Sequence, residues 1–222
     1  DVDLVRALGF ENLRFSSRVP HGGGGSTGTL AHAMAAVSSG LANVVVAWRA
    51  MNERSEQRFG VGHTVSNASS PGTGTGFLEW SMPFGAATPA AWTALGAQRY
   101  MQEYGVSNED LGAVSVILRQ NAATNPAAWF FEKPITLADH QASRWIVEPV
   151  FRLFDCCQES DGGVAVVVTR ADRARDLAQL PVRIRHATQA VPMGTETVTD
   201  FYREDLTRME SGEFAARELY ER

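Results

Sequence analysis

The residues best placed to do chemistry are a histidine, four glycines and a serine in a row, His21-Gly22-Gly23-Gly24-Gly25-Ser26. Consecutive glycines allow a turn that side chains would forbid. The turn leads into a helix expected over Thr27 to Ser39, with Ser26 or Thr27 capping the free N–H groups of its first turn. A glycine-rich turn at a helix N-terminus aims amide hydrogens and the positive end of the helix dipole at one point. Negative charge can be held there. The expected substrate-binding residues are therefore His21, Gly22, Gly23, Gly24, Gly25 and Ser26.

Other constellations compete with this one. Gly24-Gly25-Ser26-Thr27-Gly28 fits G-x-S-x-G, the nucleophile elbow of serine hydrolases, and Asp161 and His186 follow in the required order. An elbow needs a core strand running straight into its serine, and Arg18-Val19-Pro20-His21 is a poor one. Gly23, Gly25 and Gly28 fit the dinucleotide fingerprint, but the next strand ends at Trp48-Arg49 and not at an acidic residue. No lysine follows the glycines, which excludes a phosphate P-loop. Cys156-Cys157 has no C-x-x-C spacing and no neighbouring histidine, so no metal site is expected and the pair reads as small buried hydrophobes. His21, His63, His140 and His186 are scattered, and only His21 adjoins the glycines. Tyr100, Tyr104, Tyr202 and Tyr220 sit at helix positions suited to core packing. Trp129-Phe130-Phe131 suits a packing or dimer contact.

The chain that must position these groups has 222 residues, 44% of them hydrophobic and 20% charged, as in an ordinary globular protein with a sizeable core. A net charge of −5 gives no footprint for nucleic acid. No apolar run approaches the roughly 18 residues of a membrane span, and Asp1 to Phe10 lacks the layout of a signal peptide. Adjacent cysteines are a poor arrangement for a structural disulfide, so a reducing cytoplasm is expected. The chain begins and stops inside helical patterns, as a piece of a longer protein would.

In order, Asp3 to Leu8 reads as a short helix closed by Gly9, and Leu13 to Phe15 as a short strand. The helix after the glycines carries small residues with Leu30, Met34 and Val37. Its single polar ring is His32, so it is expected to be buried all round. Gly40 ends it, and Leu41 to Ala47 follows as a buried strand. Arg49 to Phe59 is polar and mixed, and Gly60 to Gly76 a long loop. Thr88-Pro89 opens a helix that runs to Tyr104 and stops at Gly105. Ser107 with Asp110 opens another, to about Ala122, and Thr136 with Asp139 a short one to Ser143. Between the last two lies an aromatic loop, Asn125 to Pro134. Glu148 to Phe154 reads as extended and Asp161-Gly162-Gly163 as a turn. Val164 to Thr169 reads as a strand covered on both faces. A charged helix over Ala171 to Leu177, a strand at Val182 to Arg185, and a mostly helical Asp200 to Arg222 broken near Ser211-Gly212 complete the chain. Strands alternating with helices argue α/β layering.

Three stretches together resemble the thiolase superfamily, in the branch of sterol-carrier-protein thiolases and lipid-transfer-protein aldolases. They are the small-residue helix ending in SSGLANVVVAWRAMNERS, the segment TPAAWTALGAQRYMQEYGVSNEDLGAVSVILRQNAATNPAA, and FRLFDCCQESDGGVAVVVTRADRARDL. The resemblance implies a layered α/β/α fold in which a central mixed sheet encloses the glycine-turn helix. It implies an N-terminal domain over 1–180 with an inserted loop domain at about 56–145, and the start of a C-terminal domain over 181–222. Thiolases carry on the turn before this helix a cysteine that takes the acyl group. Counting back from Gly40 puts that position at Gly23, or at Gly25 if the small-residue pattern is matched, and neither has a thiol.

The departure is similar to aldolase-type members, which cleave a β-hydroxyacyl-CoA by retro-aldol chemistry. The resemblance thus implies a carbon–carbon lyase acting in steroid side-chain or lipid degradation, with CoA present only as part of the substrate and no separate cofactor. In such a reaction the glycine turn would polarise the thioester oxygen, and a separate base would take the hydroxyl proton. The acid and base are expected beyond Arg222. A homodimer and a small OB-fold partner are also implied. The alternatives are a thiolase- or acyltransferase-like or non-catalytic lipid or acyl-CoA binding protein, and a serine hydrolase built on Ser26.

Overall fold

A computed structural model describes residues 2–19, 25–55, 58, 82–190 and 203–221. In chain order the helices are α1 (Val2–Ala7), α2 (Gly25–Ser38), α3 (Pro89–Tyr104), α4 (Asn108–Ala123), α5 (Leu137–Ala142), α6 (Ala171–Ala174) and α7 (Glu210–Tyr220). The strands are β1 (Val44–Asn52), β2 (Trp145–Val147), β3 (Phe151–Arg152) and β4 (Asp161–Thr169). The class is mixed α/β. Two compact units divide the chain: Asp1–Met51, Gly162–Met193 and Met209–Arg222 form the first, Asn52–Asp161 and Gly194–Arg208 the second.

The first unit is built on α2 and the β1–β4 pair. Ala33 and Val37 of α2 are buried with Val168 of β4, and Leu30, Val45 and Ile184 pack around them. The two strands run antiparallel. Thr169 Oγ1 donates to the Asn43 carbonyl at 2.9 Å at one end, and Gly163 lies against Ala50 at the other. A Cβ at Gly163 would stand 3.2 Å from that of Ala50, so the glycine permits the approach.

Several expectations need correction here. Helix α2 starts at Gly25, so Ser26 and Thr27 lie inside its first turn and not at its cap. Among the described residues it is buried on one face, with Ser26, Thr27, Ala35 and Ser38 exposed, because the two strands described cover one side of the helix. Strand β1 begins at Val44 and continues through the polar Arg49 to Asn52. Strand β4 takes in Asp161-Gly162-Gly163, read above as a turn. Ladder bonds to β1 satisfy that backbone better than a turn would. Val44, Val46, Trp48, Val164, Val166 and Val167 are exposed, so neither strand is covered on both faces among the described residues. No strand forms at Leu13 to Phe15 or Val182 to Arg185, which find no ladder partner among the described residues. The charged helix α6 ends at Ala174. Helix α7 runs unbroken through Ser211-Gly212, with Gly212 seated on the Met209 thioether, and the described residues 203–209 before it are not helical.

The second unit is a helical layer with a small hairpin. Thr88 caps α3 through the Ala91 N–H, Pro89 takes the first helical position, and Gly105 ends the helix with φ 66°. Capping boxes open the next two helices: Ser107 with Asp110 for α4, Thr136 with Asp139 for α5. Trp92 is buried and donates from Nε1 to the Ala86 carbonyl at 2.6 Å. The aromatic loop after α4 is held by Arg119, whose guanidinium lies 3.6 Å from the Phe130 ring centre. The stretch read as extended, Glu148 to Phe154, is instead a hairpin turn with a cis Glu148–Pro149 bond, the two-residue β3, and a 3₁₀ turn at Leu153–Asp155. Its partner β2 pairs antiparallel, Trp145 opposite Arg152.

Candidate functional site

The amide-donor site expected from the sequence adjoins the start of α2 at Gly25. Residues His21, Gly22, Gly23 and Gly24 lie outside the described residues. Gly25 is buried as the first helical residue and Ser26 is exposed beside it. Thr29 donates to the Ser26 carbonyl at 2.6 Å, which tightens the first turn. Gly28 is buried under Val19 and Gln189: a Cβ there would stand 3.3 Å from Val19 Cγ1 and 3.4 Å from Gln189 Oε1. The segment carrying Ile184 and Gln189 therefore lies alongside α2. Between them the His186 Nε2 is buried with no hydrogen-bond partner among the described residues. His32, on the same helix, lies 2.7 Å from Ser17 Oγ.

The acid of the serine-hydrolase order, Asp161, is engaged by backbone among the described residues. Asp161 Oδ1 accepts the N–H groups of Arg54 at 2.8 Å and Ser55 at 3.1 Å. Those bonds, Arg54's first, hold the carboxyl below its ordinary pKa. Asp161 thus works as a turn clamp.

A second cluster looks chemical but is sealed. His140 is fully buried, and its Nε2 lies 2.7 Å from Asp155 Oδ1. The same oxygen accepts from Ser115 Oγ at 2.9 Å, and Asp155 Oδ2 accepts from the Arg152 N–H at 2.7 Å. Arg152 extends the network to Asn108 Oδ1 and the Ser143 carbonyl, its guanidinium 3.7 Å from the Trp145 ring centre. No substrate reaches a ring with no exposed surface. The network satisfies polar groups in the core, as expected of an isolated histidine. Residues 15 positions apart carry no spacing signal, so sequence reasoning missed the pairing.

Cys156 is half-buried, Cys157 exposed, and both are reduced. Burial first, then the Asp155 charge, push the Cys156 thiol up, opposite to the shift that would make it a thiolate acyl acceptor. Tyr100 and Tyr104 do not pack in a core: both are exposed, their rings 4.7 Å apart, because α3 turns this face outward. Tyr220 and Trp129 are exposed too, while Tyr202 and His63 fall outside the described residues. Among the described residues there is no group of three or more metal-ligating side chains, and no helix is long and apolar enough to cross a membrane.

No protein-family model matches the chain. It is 46% identical over 220 residues to a steroid side-chain-cleaving aldolase of Thermomonospora curvata, covering 99% of this chain and 56% of the relative. It is 48% identical over 222 residues to a 17-hydroxy-3-oxo-4-pregnene-20-carboxyl-CoA lyase of Mycobacterium tuberculosis, with 99% and 56% covered. An acetyl-CoA acetyltransferase of Methanothermobacter thermautotrophicus matches 64% of the chain at 38% identity, 35% of its own length. The solved structure of an Ltp2-ChsH2(DUF35) aldolase superposes on the whole chain with a TM-score of 0.85 at 45% identity, over 55% of that structure's chain. The chain spans a little over half the length of the aldolase and lyase relatives it matches. On these likenesses it is a relative of the thiolase-like enzymes.

Proposed function

We propose that the chain is part of an acyl-CoA lyase that cleaves a carbon–carbon bond in a β-hydroxyacyl-CoA by retro-aldol chemistry, in the breakdown of a steroid side chain. One observation carries this reading: identity of 46% and 48% over nearly the whole chain to relatives named as an aldolase and a CoA lyase. The absence of a thiol from His21 to Ser26 supports it, since an acyl-enzyme route needs a nucleophile there.

A base takes the β-hydroxyl proton, the bond between Cα and Cβ breaks, and a ketone leaves. The electron pair passes to the thioester as an enolate, which is protonated at Cα. Amide donors of the turn His21, Gly22, Gly23, Gly24, Gly25 and Ser26 hold the enolate oxygen. Base and acid come from the C-terminal half, of which Pro181 onward is the start. In this reading 1–180 is the thiolase-like N-terminal domain, with an inserted loop domain at about 56–145, and 181–222 begins the C-terminal domain. The layered α/β/α arrangement, a homodimer, a small OB-fold partner and a cytoplasmic location belong to the same proposal. The two-protein name of the solved aldolase supports the partner.

The test is incubation of the full-length gene product, with its partner, with a steroid-derived β-hydroxyacyl-CoA. Released ketone and a shortened acyl-CoA in equal amounts are expected. Free CoA with the carbon skeleton intact would indicate a hydrolase, and binding without turnover a carrier; either ends the lyase reading.

A further inference from the structure

Cys156 and Cys157 are adjacent, reduced, and line the same groove, a space of about 180 Å³ bordered by Arg119, Phe130, Phe154 and Gln158. Cys157 is open to solvent, whereas Cys156 is half-buried, and burial and then the Asp155 charge push its thiol up. Cys156 also closes the 3₁₀ turn, its N–H donating to the Leu153 carbonyl. We propose that the pair is a reversible oxidation site at which a hydroperoxide closes a vicinal disulfide.

The two positions divide the roles. The Cys157 thiolate attacks the peroxide; the O–O bond breaks, an alcohol or water leaves, and Cys157 becomes a sulfenic acid. The Cys156 sulfur then attacks the Cys157 sulfur. The S–O bond breaks, and the hydroxide leaves as water with the Cys156 proton. Two thiols and one hydroperoxide thus yield one disulfide, one alcohol and one water; sulfur is oxidised and the peroxide reduced. A chain neighbour outcompetes a second molecule because the ring closure is intramolecular. Half-burial of Cys156 further bars an outside thiol.

The product is strained. Neighbouring Cα atoms across a trans peptide lie about 3.8 Å apart, shorter than the usual disulfide range of roughly 4.4–6.8 Å. The extended backbone at Cys156, φ −99° and ψ 141°, must also twist to bring the sulfurs together. Strain makes the bond easily reduced, which suits a reversible mark. The twist also pulls on Asp155, whose carboxylate is held by His140, Ser115 and the Arg152 N–H, so the oxidised form melts at lower temperature.

The test treats the full chain with graded hydrogen peroxide, blocks remaining thiols with N-ethylmaleimide and measures intact mass. The expected result is a monomer lighter by about 2 Da, with no thiol blocked, restored by dithiothreitol. The tryptic peptide Leu153 to Arg170 should carry both linked cysteines. Cys156→Ser should instead accumulate Cys157 sulfinic acid, heavier by about 32 Da. Stable oxygen adducts on the unaltered chain, intermolecular dimers, or two thiols still open to blocking would each overturn the proposal. This result is independent of lyase activity.

Discussion

Gly112 of α4 lies so close to His140 of α5 that a methyl group on the glycine would stand 2.6 Å from His140 Nδ1 and 2.9 Å from Leu137 Cδ1. The two helices meet at a point with no room for a side chain, and the buried imidazole fills the remaining space. Gly112→Ala should therefore destabilise the protein. Overpacking costs about 1–3 kcal/mol, partly offset by the roughly 1 kcal/mol that alanine gains over glycine in a helix. A urea midpoint equal to or above that of the parent would contradict this contact.

The Asp155 carboxylate holds three donors at once, and its removal should cost more than the loss of any one of them. Asp155→Ala leaves the buried His140 Nε2 unpaired, at a cost of about 1–3 kcal/mol for that group alone. Ser115→Ala removes one neutral bond and should cost about 1 kcal/mol. Chemical denaturation of both variants ranks them; the reverse order would show that Asp155 does not anchor the network.

Acid should weaken the caps of α4 and α5. The side-chain and backbone hydrogen bonds of Ser107 and Thr136 hold Asp110 and Asp139 below the ordinary carboxylate pKa. A group depressed in the folded state contributes stability above its unfolded pKa, about 4, and loses it as pH falls through the folded value. Asp139→Asn should lower the melting temperature at pH 7, and the gap to the parent should narrow steadily below pH ~4. A gap that stays constant down to the acid limit would remove the charge from the explanation.

At the glycine turn, backbone amides and not the hydroxyl are proposed to act. Ser26→Ala in the full-length enzyme should keep its rate within about threefold, under roughly 0.7 kcal/mol of barrier. Complete loss of turnover with the fold intact would restore the serine as nucleophile.

Local signals in the chain were enough to place α3, α4 and α5. Thr88-Pro89 with Gly105, Ser107 with Asp110, and Thr136 with Asp139 act within one turn of backbone, so short windows of residues carry the information. The same holds for the end of α2, where Gly40 takes φ 77°. The extent of β1 and β4 was not legible in this way. Arg49 to Asn52 and Asp161 to Gly163 look like loop until each finds the other more than 100 positions away in the chain. Only the fold showed that α2 is covered on one face, since a helix of small residues looks the same whether one sheet or two lie against it. His140 likewise became a core residue only when α4 and the 3₁₀ turn closed around it. Turns and caps are settled by neighbours in sequence; burial and strand pairing are settled by neighbours in space, which the order of residues does not name.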